Sequence, residues 1–242
     1  MSQQVRVGGA IEFYGKAARY RNVKGDFDPE RLMVEYNYLE LALDNTNKYT
    51  PFLDTTSTVA LGSGGLVLTT AATDTKTATQ SQGGVYLYPA KNPAVEFKFQ
   101  IDVITTVAIF VGLSDAVSEA SSLLPFGLVT ATLTDTCTDG VGFLFDTRQT
   151  LAYFNVVNTL NGTQAFTQLA STYVPVVATD LTLKVALDSS GNARFYWNGV
   201  QVGYKALAVT STVPLVPFFG IRNNSAAAHV ATLRYVRAWC DV

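Results

Sequence analysis

Nine consecutive residues, Val95-Glu-Phe-Lys-Phe-Gln-Ile-Asp-Val103, alternate apolar and polar without a break. Successive side chains of a β-strand point to opposite faces, so this stretch predicts one strand. Its dry face carries Val95, Phe97, Phe99, Ile101 and Val103, and its wet face Glu96, Lys98, Gln100 and Asp102. Further strands are predicted at 66–68, 85–88, 107–113, 141–145, 151–157, 181–187, 193–197, 200–204, 218–221 and 230–239, most bounded by Gly, Pro, Asn, Asp or Ser. Asn198-Gly199 between two of them is a hairpin signal, because both residues tolerate the positive φ of a type I′ turn. Residues 181–187, 193–197 and 200–204 are therefore expected to run as an antiparallel meander. Short strands with short turns and no interspersed helix predict an all-β, two-sheet antiparallel β-sandwich.

The beginning of the chain departs from this pattern. Residues 1 to 27 scatter Phe13, Tyr14, Tyr20 and Phe27 among glycines and basic residues, with no sustained period, and are expected to form an extended arm. Asp28-Pro29 reads as an N-cap followed by proline at the first helical position. Leu32, Tyr36, Leu39 and Leu43 then recur at helical spacing, which favours an amphipathic helix over 29–44. Val34, Tyr36 and Tyr38 also alternate with Glu35 and Asn37, so a strand is the rival reading. Residues 50–84 turn to Thr, Ser, Gly and Ala and read as linker plus first strand. The domain expectation is an arm over 1–50 and a sandwich over 51–242.

Composition narrows the function classes. Only 15% of the 242 residues are charged, against roughly 25% in ordinary soluble domains. Much of the surface must then be Thr, Ser, Asn, Gln and Gly, or be covered by a partner. The formal charge of −2 argues against a generally basic nucleic-acid binder. The start is nonetheless basic: Arg6, Lys16, Arg19, Arg21 and Lys24 stand against Glu12 up to residue 25. That asymmetry suits an arm that meets an acidic surface. No apolar run reaches the roughly 18–20 residues needed to span a bilayer, so no membrane association is expected. The opening residues do not read as a secretory signal, which leads to an expectation of cytoplasmic synthesis with Cys137 and Cys240 as thiols.

Catalytic constellations are sparse. Glycoside hydrolysis needs two carboxyl groups roughly 5–9.5 Å apart. Glu96 and Asp102 share a face but lie roughly 20 Å apart along a strand. His229 is the chain's single histidine, and no Ser or Cys stands in a nucleophile pattern, so it reads as a surface or satisfied residue. Asp135, Asp139 and Asp146 crowd one region but read as turn chemistry rather than a calcium loop. No metal or other cofactor is expected. Among the strand aromatics, Phe195 and Trp197 are assigned to the core, which points Tyr196 outward. Tyr196 and Tyr204 are the candidate rings for stacking on a sugar.

Leu181-Thr-Leu-Lys-Val-Ala-Leu-Asp188, Ala193-Arg-Phe-Tyr-Trp-Asn-Gly-Val200, Pro217-Phe-Phe-Gly-Ile-Arg222 and Thr232-Leu-Arg-Tyr-Val-Arg-Ala-Trp239, with Ala94 to Leu113 and Asp139-Gly-Val-Gly-Phe143, resemble the strands of concanavalin A-like lectin/glucanase (laminin G-like) sandwiches. The resemblance covers residues 85–242 and implies a jelly-roll sandwich. The Glu-x-Asp-x-x-Glu motif of the family's glycosidases is missing from the sequence, so no enzymatic activity is expected. The chain is similar to the sandwiches of tailed-bacteriophage virion proteins, and this implies a non-enzymatic capsid decoration or cement subunit on the capsid exterior. Its partners would be the major capsid protein and copies of itself, in a homo-oligomer such as a trimer. Arg6, Phe13, Tyr14, Lys16, Arg19, Tyr20 and Arg21 of the arm are the expected capsid contacts. The alternative is a carbohydrate-binding, lectin-like module on a virion or cell surface, with Tyr196 and Tyr204 meeting a surface glycan.

Overall fold

The computed structural model describes residues 4–7, 10–13, 31–36, 50–53, 56–62, 64–81, 85–116, 124–130, 132–149 and 152–241. Its strands in the first half are β1 (Gln4–Val7), β2 (Ala10–Phe13), β3 (Arg31–Tyr36), β4 (Thr50–Leu53), β5 (Thr58–Gly62), β6 (Gly65–Thr69), β7 (Thr77–Ser81), β8 (Ala94–Ile101) and β9 (Val107–Ser114). The second half adds β10 (Phe126–Val129), β11 (Thr132–Asp135), β12 (Gly140–Asp146), β13 (Phe154–Leu160), β14 (Thr163–Gln168), β15 (Leu181–Leu187), β16 (Ala193–Trp197), β17 (Val200–Lys205), β18 (Val216–Asn223) and β19 (Val230–Asp241).

Among the described residues two antiparallel sheets form the body. One is seven-stranded in the order β14-β13-β12-β9-β18-β7-β4. The other is eight-stranded: β17-β16-β15-β8-β19-β6-β5, with β3 also pairing with β19. Their inner faces meet through aromatic rings: Phe99 of β8 lies 5.1 Å from Phe219 of β18, and Phe143 of β12 lies 5.5 Å from Phe195 of β16, both edge-on. The alternation of residues 95–101 is realised in β8, where Val95, Phe97, Phe99 and Ile101 are buried and Glu96, Lys98 and Gln100 half-buried. β15 repeats it with Leu181, Leu183, Val185 and Leu187 inward.

The central strands of the seven-stranded sheet behave differently. β9, β12 and β18 are buried along their whole length, on both faces. Their inner face meets the eight-stranded sheet, and their outer face lies under the hairpin β10–β11. Phe126, Leu128 and Leu133 of that hairpin pack with Leu124 and Cys137 against Ala108, Phe110, Leu144, Val157 and Phe218 as a second core. The Phe126 and Phe218 rings lie 5.2 and 6.0 Å from Phe110. Glycine makes room for Phe110: Gly142 stands opposite Gly112, and a Cβ on Gly142 would meet the Phe110 ring at 2.6 Å.

The expected meander is present as β15-β16-β17, and Asn198 and Gly199 turn its second hairpin at φ 47° and 83°. Four expectations change. The helix expected over 29–44 is replaced over Arg31–Tyr36 by β3, which pairs with the last six residues of β19. β6 covers only the first part of β19, and a strand satisfies the peptide groups left open beyond it. That pairing also places part of the expected arm in the sandwich sheet. The strand expected at 85–88 reduces to one bridge, Leu87 to Leu215, with Tyr86 and Tyr88 exposed on either side. Residues 50–84, expected as linker and one strand, supply β4, β5, β6 and β7. Both cysteines are free, Cys137 buried and Cys240 partly so.

Candidate functional site

The outer face of the seven-stranded sheet is closed by the chain's own hairpin, and one buried ion pair locks that closure. Asp146, at the end of β12, is fully buried, and its Oδ2 lies 2.5 Å from Nη2 of Arg222 on β18. The same carboxylate accepts the Leu128 amide of the hairpin (3.1 Å), the Arg148 amide (3.0 Å) and Nδ2 of Asn224 (2.9 Å). Burial lowers the Arg222 pKa from its ordinary value, while Asp146 works in the opposite direction. A carboxylate holding four donors is a structural clamp, with no lone pair left for a substrate.

Asp139 accepts the Thr210 amide at 2.5 Å, and Asp115 accepts the amides of Thr138 and Asp139. These acids tie loops together, and no cluster of metal-ligating side chains occurs among the described residues. His229 is buried, with Nε2 2.9 Å from Thr106 Oγ1 and 3.3 Å from Ser225 Oγ. Both hydroxyls address one ring nitrogen, and among the described residues no carboxylate is bonded to the other, so they do not form the base-and-orienter geometry of a triad.

The outer face of the eight-stranded sheet is the wet face anticipated around β8. Tyr235 Oη donates to Glu96 Oε1 at 2.8 Å. Arg237 stands between two carboxylates, 3.3 Å from Glu35 and 3.8 Å from Glu96. A guanidinium shared in this way fills the gap that a glycosidic bond would occupy between two acids. Burial, reinforced by the bond to Glu96, pushes the Tyr235 phenol up to about 12. Along the same face Asp180 binds Lys98 and Arg234, each at 3.1 Å. Burial alone would raise the Asp180 pKa, but these two cations together hold it below the ordinary value.

Beyond β8 the face changes character. On β15, β16 and β17, Lys184 stands opposite Tyr196, and Arg194 opposite Tyr204. The Lys184 ammonium sits 4.0 Å above the Tyr196 ring centroid, and the Arg194 guanidinium 5.8 Å from that of Tyr204. Tyr204 is 54% exposed and Tyr196 half-buried, while Phe195 on the opposite face is fully buried. Trp197 is half-buried at 5.3 Å from Phe154 and 5.6 Å from Tyr173, on the core side as expected. A groove at this edge, lined by Val156, Phe166, Phe195 and Tyr204 among others, encloses about 20 Å³, which holds a water molecule and excludes a sugar ring. Binding of a glycan here would have to use the open face. Of the expected arm contacts, Arg6 and Phe13 fall on the backbone of β1 and β2; Tyr14, Lys16, Arg19, Tyr20 and Arg21 lie outside the described residues.

No protein-family model matches the chain, and no curated protein matches it in sequence. Solved structures do match in shape. The carbohydrate recognition domain of Emp46p in its metal-free form aligns with a TM-score of 0.59 at 12% identity, over 84% of this chain and 94% of that one. LamA from Zobellia galactanivorans, solved with laminaritriose and laminaritetraose, aligns with a TM-score of 0.60 at 8% identity, over 86% and 98%. The laminarinase catalytic domain from Thermotoga maritima gives 0.58 at 8%, over 88% and 99%. The fold is a concanavalin A-like sandwich. At these identities the likeness concerns the fold.

Proposed function

We propose that the protein is a non-enzymatic carbohydrate-binding module that acts on a virion or cell surface. The observation that carries this reading is the exposed Tyr204, with Tyr196 beside it, on an open sheet face otherwise laced by ion pairs. A flat ring offers a sugar rigid apolar contact area at little entropic cost. Two findings favour binding over hydrolysis. The outer face of the seven-stranded sheet carries the hairpin in place of a cleft, and the carboxylates on the eight-stranded face are held by Arg237, Lys98 and Arg234. That a lectin-type recognition domain and two laminarinase-type domains share the fold supports a glycan as the ligand class. None of these three neighbours is a virion protein by name, so the glycan reading is preferred to the capsid-decoration reading. A glycan array probed with the wild-type chain and with Tyr204→Ala tests the proposal. Binding to a subset of glycans that the variant loses is the expected result; a blank array, or an identical pattern for both proteins, refutes it.

A further inference from the structure

The cations on the outer face divide into two groups. Lys98, Arg234 and Arg237 each hold a carboxylate on the same face. Lys184 and Arg194 make no ion pair among the described residues and lie over rings instead. Asp188, the acid nearest in sequence to Arg194, already accepts the Ser190 and Asn192 amides and the Asn192 side chain, and Arg194 acts on it only through space. Glu96 stands opposite Lys184 on β8 but is held by Tyr235 and Arg237, so Lys184 and Arg194 form a cationic patch beside carboxylates that are already paired. Its placement is fixed by strand register. Lys184 pairs with Tyr196 and Arg194 with Ala186, which makes Lys184 and Arg194 diagonal neighbours about 7–8 Å apart. Tyr204 flanks Arg194 on the next strand, so the two cations and the exposed ring share one face of three adjacent strands.

From this arrangement we propose that the outer face of β15–β17 selects acidic glycans, those bearing uronate carboxylates or sulfates. Tyr204 stacks on a sugar face, and Lys184 and Arg194 receive the anionic groups. The Tyr196 ring beneath Lys184 holds the ammonium on the face without neutralising it, since the ring offers a quadrupole and no charge. Arg194 presents a planar fork suited to a carboxylate or sulfate. This inference rests on the glycan-binding reading and adds the substrate class.

Isothermal titration with tetragalacturonate, a chondroitin sulfate tetrasaccharide, neutral laminaritetraose and a tetraglutamate peptide tests it, on the full chain and on a Lys184→Gln/Arg194→Gln variant. Both side chains lie on the outer face, so the variant keeps the core, and its melting curve serves as the folding control. The expected result is tighter binding of at least one acidic tetrasaccharide than of laminaritetraose by about tenfold or more. That preference should weaken with salt and be lost in the double variant. Equal binding of neutral and acidic sugars, unchanged in the variant, overturns the inference and leaves the glycan reading intact. Binding of tetraglutamate as tight as that of the acidic sugars overturns it as well, because charge alone would then suffice. No binding of any sugar here, together with a blank array, removes both readings.

Discussion

Phe126 is the side chain through which the hairpin closes the seven-stranded sheet, and Phe126→Ala measures that closure. The ring is fully buried, 5.2 Å from Phe110, and so close to Gly140 that a Cβ there would meet it at 3.1 Å. Truncating a buried Phe costs about 3–5 kcal/mol, with the upper end applying where the site cannot collapse. Here the cavity would be walled by sheet strands on one side and a four-residue strand on the other, so collapse would have to come from the hairpin. At roughly 2–4 °C per kcal/mol for a chain of this size, the melting temperature should fall by roughly 6–20 °C. Urea unfolding supplies the free energy, and native-state hydrogen exchange shows where it is lost. Amides of β10 and β11 should lose protection first, ahead of β8 and β15. Val129→Ala in the same hairpin is the control, since Val129 is 46% exposed and should cost about 0.5 kcal/mol or less. A Phe126→Ala loss below about 1 kcal/mol, or uniform loss of protection across both sheets, would refute the second core as the device that covers the sheet.

Three further outcomes follow from other contacts. Asp146→Ala should cost about 3–5 kcal/mol by urea titration, because it strands the buried Arg222 cation and the Leu128 amide; a near-neutral effect would contradict the clamp. Gly142→Ala places a methyl carbon 2.5 Å from the Val111 carbonyl oxygen and 2.6 Å from the Phe110 ring, so it should destabilise by about 1–3 kcal/mol, and an unchanged melting temperature would show that the strands yield without cost. Asp180 has a depressed folded-state pKa, so its pairs with Lys98 and Arg234 contribute above the ordinary value of 3.8 and fade as pH falls through the lower folded value. The melting temperatures of wild type and Asp180→Asn should therefore differ slightly at neutral pH, by the equivalent of at most about 1 kcal/mol for such exposed groups, and converge in strong acid; a gap that widens on acidification would reverse the assigned sign.

The eight-stranded sheet was largely legible in the sequence because it has one wet face. Alternation in β8 and β15 and the Asn198-Gly199 turn specify strand, face and register together. The covering of the other sheet carried a signal that alternation could not express. Val107-Ala-Ile-Phe-Val-Gly-Leu113 and Val216-Pro-Phe-Phe-Gly-Ile221 are nearly unbroken apolar runs, the mark of strands buried on both faces. What covers them was hidden, since the hairpin strands, Phe-Gly-Leu-Val and Thr-Leu-Thr-Asp, are four residues each and too short to show a period. β7, Thr-Ala-Thr-Gln-Ser, escaped because its buried positions are mostly polar, and β3 because its two periodicities conflict until β19 offers a partner. The Asp146–Arg222 pair spans 76 residues and has no local mark. Tyr196 was legible as outward-facing from its parity with Phe195. Lys184 above its ring follows only once the hairpin register is known.

The most direct test of a glycan-binding outer face is a crystal structure of the protein with an oligosaccharide selected from the array. The expected result is a sugar ring against Tyr204 on β17, with its substituents reaching Arg194 and Lys184 and the hairpin β10–β11 still in place. A sugar bound on the seven-stranded sheet after displacement of that hairpin, or at any site away from β15–β17, would contradict it.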